Sequence, residues 1–134
     1  MTWGLSTTNL VHPWLSSMRG AGAGTNFTAP ATLFDQLHTG DPGASGTANV
    51  SSTTARQATG WGAPSAGSMA LTTTPSWTSW AGSNGESVAG VSTWSASSAG
   101  TFYHSTQFTA PKTVNTGDTL TVTSHTFALG PNAA

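Results

Sequence analysis

A chain of 134 residues with three Lys or Arg and four Asp or Glu is 5% charged, against about 25% in ordinary soluble domains. Three cations cannot neutralise a phosphate backbone, which argues against a nucleic-acid groove, and no run of about 20 apolar residues offers a helical membrane span. With no cysteine, neither disulfides nor thiolate metal sites hold the fold, so six Trp and five Phe must supply much of the core.

In chain order, Leu10, Val11, Trp14, Leu15 and Met18 fall at helical spacing, with Asn9 as N-cap, Pro13 in the first turn and Gly20 as the stop. This pattern predicts a short helix over Leu10 to Arg19. The helix either closes one end of the domain's own core or serves as an arm docking on a neighbouring subunit. Trp3 and Leu5 ahead of it favour the arm. Gly20 to Asn26, GAGAGTN, reads as a flexible joint, which divides the chain into an N-terminal helical arm and Gly-rich joint at 1–26 and a β-sandwich domain at 27–134.

Thr28 to Gly43, TAPATLFDQLHTGDPG, reads as a strand carrying Leu33, Phe34 and Leu37 into a rigid turn, where Asp41 accepts from backbone N–H groups and Pro42 presets φ. Thr47 to Thr59 follows as an exposed or edge-like strand, and its Arg56 calls for a carboxylate such as Asp41 or Asp35. Trp61, in the turn-rich GWGAPSAG, is expected to plug the end of the sandwich. Trp77 and Trp80 stand an odd number of positions apart, which on a regular strand sends one to the core and the other towards a partner. Asn84-Gly85 is a hairpin signal. Phe102, His104, Thr106 and Phe108 share one face, with Phe102 and Phe108 marking the core. Ala110-Pro111 breaks that strand, and the apolar phase of Thr119 to Leu129 switches near Ser124, which implies a bulge. About seven to nine short strands with turns every 8–12 residues predict an all-β fold, an antiparallel β-sandwich or jelly-roll-like barrel with one short N-terminal helix.

LHTGDPG at Leu37 to Gly43 resembles the LHT-x-DPG signature of small bacteriophage virion proteins, often labelled tail fibre or minor structural proteins. Ala55-Arg56-Gln57 and APKTVNTGDTLTV, Ala110 to Val122, are similar to further segments of that family and stand in the same order. The resemblance implies a virion part. Hydroxyl side chains make up roughly a third of the chain, and a nearly uncharged surface must hold partners by apolar and hydrogen-bonded contacts that survive changes of salt.

The leading expectation is a non-enzymatic capsid decoration or cement protein, a homotrimer on the outer surface of the virion head that binds the major capsid protein. Trp3, Leu5, Trp14 and Leu15 are its candidate contacts to a neighbouring subunit, and His38, Asp41 and Pro42 its contacts near a symmetry axis or to the shell. The alternative is a tail fibre or minor tail protein that binds the host surface, with Trp77, Trp80, Trp94 and Tyr103 as candidates for stacking on sugars.

Catalysis, cofactors and metals find no support in the residues. None of the four His has a His or acid at i+2 or i+4. Three of the four carboxylates fall in or beside turns that they can cap, and neither a G-x-S-x-G elbow nor a phosphate loop is present.

Overall fold

The computed structural model describes residues 4–18 and 29–128. The Gly-rich joint expected at 20–26 and the candidate Trp3 lie outside the described residues. Among the described residues eight strands run β1 Leu33–His38, β2 Gln57–Trp61, β3 Ser68–Thr73, β4 Ser76–Trp77, β5 Glu86–Trp94, β6 Phe102–Val114, β7 Leu120–Thr121 and β8 Thr126–Ala128. Every pairing is antiparallel: six strands form a sheet in the order β6-β5-β1-β2-β3-β8, and β4 pairs with β7.

The large sheet curls until its two edges meet. Thr106 Oγ1 on β6 lies 2.6 Å from Nε2 of His125, just ahead of β8, and the rings of His104 and Phe127 are 4.9 Å apart. The all-β, barrel-like or sandwich-like expectation therefore stands.

The concave face carries Leu37 and Val91, cross-strand partners on β1 and β5, and these pack with Trp77, Trp80, Val88, Val114 and Val122. The small β4–β7 sheet lies over this face. Trp77 and Trp80 are both buried, at 2% and 1% exposure, so neither faces a partner. Parity fails because β4 ends at Trp77 and Ser79 adopts φ 51°, a left-handed kink that turns Trp80 back inwards. Trp80 N–H then donates to Asp118 O, and Gly117 N–H donates to Trp80 O.

A bulge at Tyr103 corrects the face reading of β6. Trp94 stands opposite Phe102 while Thr93 stands opposite His104, leaving Tyr103 as the extra residue. The phase therefore changes: His104 shares the concave face with Thr93, and Phe102 lies on the other face against Trp94, with ring centroids 5.5 Å apart.

Other boundaries moved for local reasons. Residues 47–56 form a loop, and β2, which begins at Gln57, is an interior strand between β1 and β3. Asn84-Gly85 makes no hairpin, because β4 pairs with β7 and β5 pairs with β1 and β6; Asn84 Oδ1 instead accepts from Thr116 N–H. Pro111 does not end β6, which runs to Val114. It sits on an edge strand, where a missing N–H is tolerated, in a second irregularity that places extra residues between the pairs Gly90–Gln107 and Val88–Lys112. The switch near Ser124 is the gap between β7 and β8.

At the N-terminus a π-helical turn, Thr7–Val11, leads into α1, His12–Met18. Ser6, not Asn9, is the N-cap and accepts from Asn9 N–H at 3.2 Å. Asn9 reaches away instead, its Nδ2 donating to Phe102 O at 3.2 Å.

Candidate functional site

The turn after β1 is fixed from both sides of His38. Its Nδ1 lies 2.9 Å from Ala48 O, which can only accept, so Nδ1 carries the proton. Nε2 then accepts from Ser92 Oγ at 2.7 Å, and Ser92 Oγ in turn accepts from Trp94 Nε1 at 2.7 Å. This chain of bonds satisfies every group it contains with a neutral imidazole. Burial, first among the causes, lowers the His38 pKa below the ordinary histidine value.

Backbone bonds from Thr39 N–H to Asn49 O and from Ser51 N–H to Leu37 O clamp the loop against β1. Asp41 Oδ1 accepts from Gly43 N–H at 2.8 Å, the turn role expected of it. Gly46 has φ 74°, and a Cβ built there would meet Phe102 Cδ2 at 2.5 Å, so the loop closes directly on the Phe102–Trp94 pair. Of the three turn residues named as contacts, His38 and Pro42 are buried within the chain and only Asp41 is on the surface.

Arg56 completes this outer layer without a carboxylate. Its guanidinium carbon lies 3.8 Å from the Trp94 ring centroid; Nε donates to Gln36 Oε1 at 3.2 Å and Nη1 to Ala96 O at 3.0 Å and Ala99 O at 2.5 Å. The expected pairing with Asp41 or Asp35 is replaced by stacking and carbonyl bonds because Asp35 points to the opposite, concave face. There its Oδ1 accepts from Thr93 Oγ1 at 2.7 Å, and burial pushes its pKa up to about 7.

Where the sheet edges meet, Trp61 packs edge-on against His125 and His104, at 4.6 and 5.9 Å between centroids. Both imidazoles are buried, and burial lowers their pKa values to about 4 and about 3. Neither ring nitrogen of His104 has a hydrogen-bond partner, nor does Nδ1 of His125. No cluster of three or more His, Cys, Asp or Glu able to hold a metal occurs among the described residues. At this seam burial and edge-on packing favour neutral imidazoles.

The surface tells a different story. The large exposed hydrophobic side chains among the described residues are Leu5, Trp14 and Leu15, at 38%, 42% and 52%, and all three lie in the N-terminal segment. Trp77, Trp80, Trp94 and Tyr103 are all buried, so the sugar-stacking set named from sequence has no accessible ring.

The family described as podophage GP4 fiber I protein gp80 matches residues 17–130. The chain belongs to this fibre protein family. Its members are phage virion proteins by that description, and the match covers the whole curled sheet and the anchored loop. No curated protein matches the chain.

Residues 4–16, with the three exposed apolar side chains, precede the matched region. The His38–Ser92–Trp94 chain and the Arg56 stack were missed from sequence, because cross-strand register brings them together. The scarcity of cations and the Ala55-Arg56-Gln57 resemblance singled out Arg56, but neither gave its partners.

Proposed function

We propose that this chain is a non-enzymatic structural subunit of a phage tail fibre, held to a neighbouring fibre subunit through its N-terminal segment. The observation that carries the reading is that, among the described residues, the large exposed apolar side chains are confined to Leu5, Trp14 and Leu15, on a chain of a fibre family. With only seven formally charged residues, the domain has little means of salt-dependent attraction, and an apolar patch of this kind is where association gains most.

The family description favours the tail over the head, so the partner proposed is another fibre chain in place of the major capsid protein. A homotrimer is the proposed assembly, in which each segment meets the next chain around a closed ring. The buried state of Trp77, Trp80, Trp94 and Tyr103 argues for an assembly role over stacking of host sugars on those rings.

The test is a Trp14→Ala, Leu15→Ser double variant followed by sedimentation velocity and thermal unfolding. The reading expects loss of the oligomer with the domain's unfolding transition retained. An unchanged oligomer, or collapse of the whole domain, contradicts it.

A further inference from the structure

We propose that β6 is a strand acceptor between copies: in the assembled protein, the Gly4–Ser6 segment paired with Tyr103–Ser105 is donated by a second copy of this chain. The setting rests on the fibre reading; the geometry does not.

The segment is an added strand in all but length. Ser6 N–H donates to Tyr103 O at 2.6 Å, Ser105 N–H donates to Gly4 O at 3.0 Å, and Leu5 bridges His104 antiparallel. Asn9 Nδ2 adds a bond to Phe102 O at 3.2 Å. The two backbone bonds are what make the Leu5–His104 bridge, and the Asn9 bond also ends on a backbone carbonyl, so β6 offers them equally to the same segment of another copy.

Between Met18 and Ala29 stand ten residues, three of them Gly. A stretch of that length spans at most about 33–36 Å, comparable with the width of a domain of this size. The connection therefore permits both closure on its own chain and exchange with the next.

The acceptor edge is longer than the segment lying on it. Thr106 to Ala110 continue beyond Ser105 along a groove of about 550 Å³ whose opposite wall is formed by Leu120, Thr121 and residues 123–126. Pro111 and Lys112 then occupy the edge, residue types that discourage further strand pairing. In a closed ring of such exchanges, Leu5, Trp14 and Leu15 travel with the donated strand to the neighbour.

Engineered cysteine pairs distinguish exchange from self-pairing, since the natural chain has no cysteine. A Cβ at Gly4 meets nothing within 4 Å, so Gly4→Cys is sterically free but too open for a direct disulfide, and Ser105→Cys replaces one small side chain with another. Gly4→Cys and Ser105→Cys are made in differently tagged chains, co-expressed and joined with a short bis-maleimide, with near-ultraviolet circular dichroism of the six Trp checking the fold. The proposal expects a covalent heterodimer carrying both tags and, from the Gly4→Cys, Ser105→Cys double variant, covalently linked multimers. A double variant that closes only within single chains, with no heterodimer from the mixture, overturns it, as does absence of any cross-link in folded protein. Peptide mass spectrometry of purified particles tests the fibre assignment separately, because exchange in the purified chain does not depend on where the chain sits in the virion.

Discussion

His38 Nε2 accepts a hydrogen bond from Ser92 Oγ at 2.7 Å, and this contact ties the turn after β1 to the middle of β5. The bond fixes the imidazole tautomer, and the other nitrogen carries the loop through Ala48 O. Replacing His38 with Ala should leave Ala48 O, Ser92 Oγ and the surrounding backbone short of partners inside a packed layer. The expected loss is about 2–4 kcal/mol from the unsatisfied groups and the cavity, read as a lower urea midpoint. Ser92→Ala should cost about 1–3 kcal/mol, because Trp94 Nε1 and His38 Nε2 both lose their partner.

Gly46 and Gly85 share φ 74°, yet only Gly46 would place a Cβ against Phe102. Gly85→Ala should therefore cost about 1 kcal/mol of backbone strain. Gly46→Ala should add an overpacking penalty of about 1–3 kcal/mol. Paired unfolding curves for the two variants isolate the steric part. Equal losses would show that the loop does not close on the Phe102–Trp94 pair.

Arg56→Lys should destabilise the outer layer by about 1–2 kcal/mol, since an ammonium keeps the charge but loses the planar stack on Trp94 and the fork to Gln36, Ala96 and Ala99. Thermal unfolding of Arg56→Lys beside Arg56→Met separates charge from stacking. A fully native stability in Arg56→Lys would count against the account of this residue.

The buried imidazoles set the acid limit. His38, His104 and His125 all have folded-state pKa values below the ordinary 6.5, so the unfolded chain binds more protons as pH falls through that value. Their stabilising contribution is present above pH 6.5 and is lost progressively down to about 4 for His125 and about 3 for His104. Asp35 acts in the opposite direction: raised to about 7 from 3.8, it contributes stability below 3.8 that is lost as pH rises through 7. His104 and His125 together outweigh Asp35 between about pH 4 and 6.5, and His38 acts in the same direction, so stability should fall with acid there and peak near neutrality. Guanidinium titrations across pH 4–8 check this, and His104→Phe should flatten the acid limb. An acid limb unchanged by that substitution would place the titration elsewhere.

Much of the architecture was legible because hydrophobic alternation and turn chemistry are local. The strands around Leu37, Val91 and Phe102 and the Asp41 turn followed from their own sequence. What was not legible depended on register. One extra residue at Tyr103 reverses the face of Phe102 relative to His104, and one left-handed Ser79 returns Trp80 to the core, and neither leaves a sequence signal, since Tyr and Ser are ordinary strand and loop residues. The candidate contacts divided in the same way. Leu5, Trp14 and Leu15 precede the sheet and are exposed, whereas His38 and Pro42 were drawn into packing by a loop that folds back from Thr39 to Ser51.

The measurement closest to the central claim is cryo-electron microscopy of the intact particle, with the chain located and its copies counted against the major capsid protein. The fibre account expects density confined to the tail fibres, in few copies, with the N-terminal segment in contact with a neighbouring fibre chain. Density repeated at lattice positions over the head, in hundreds of copies, would contradict it and return the chain to the capsid surface.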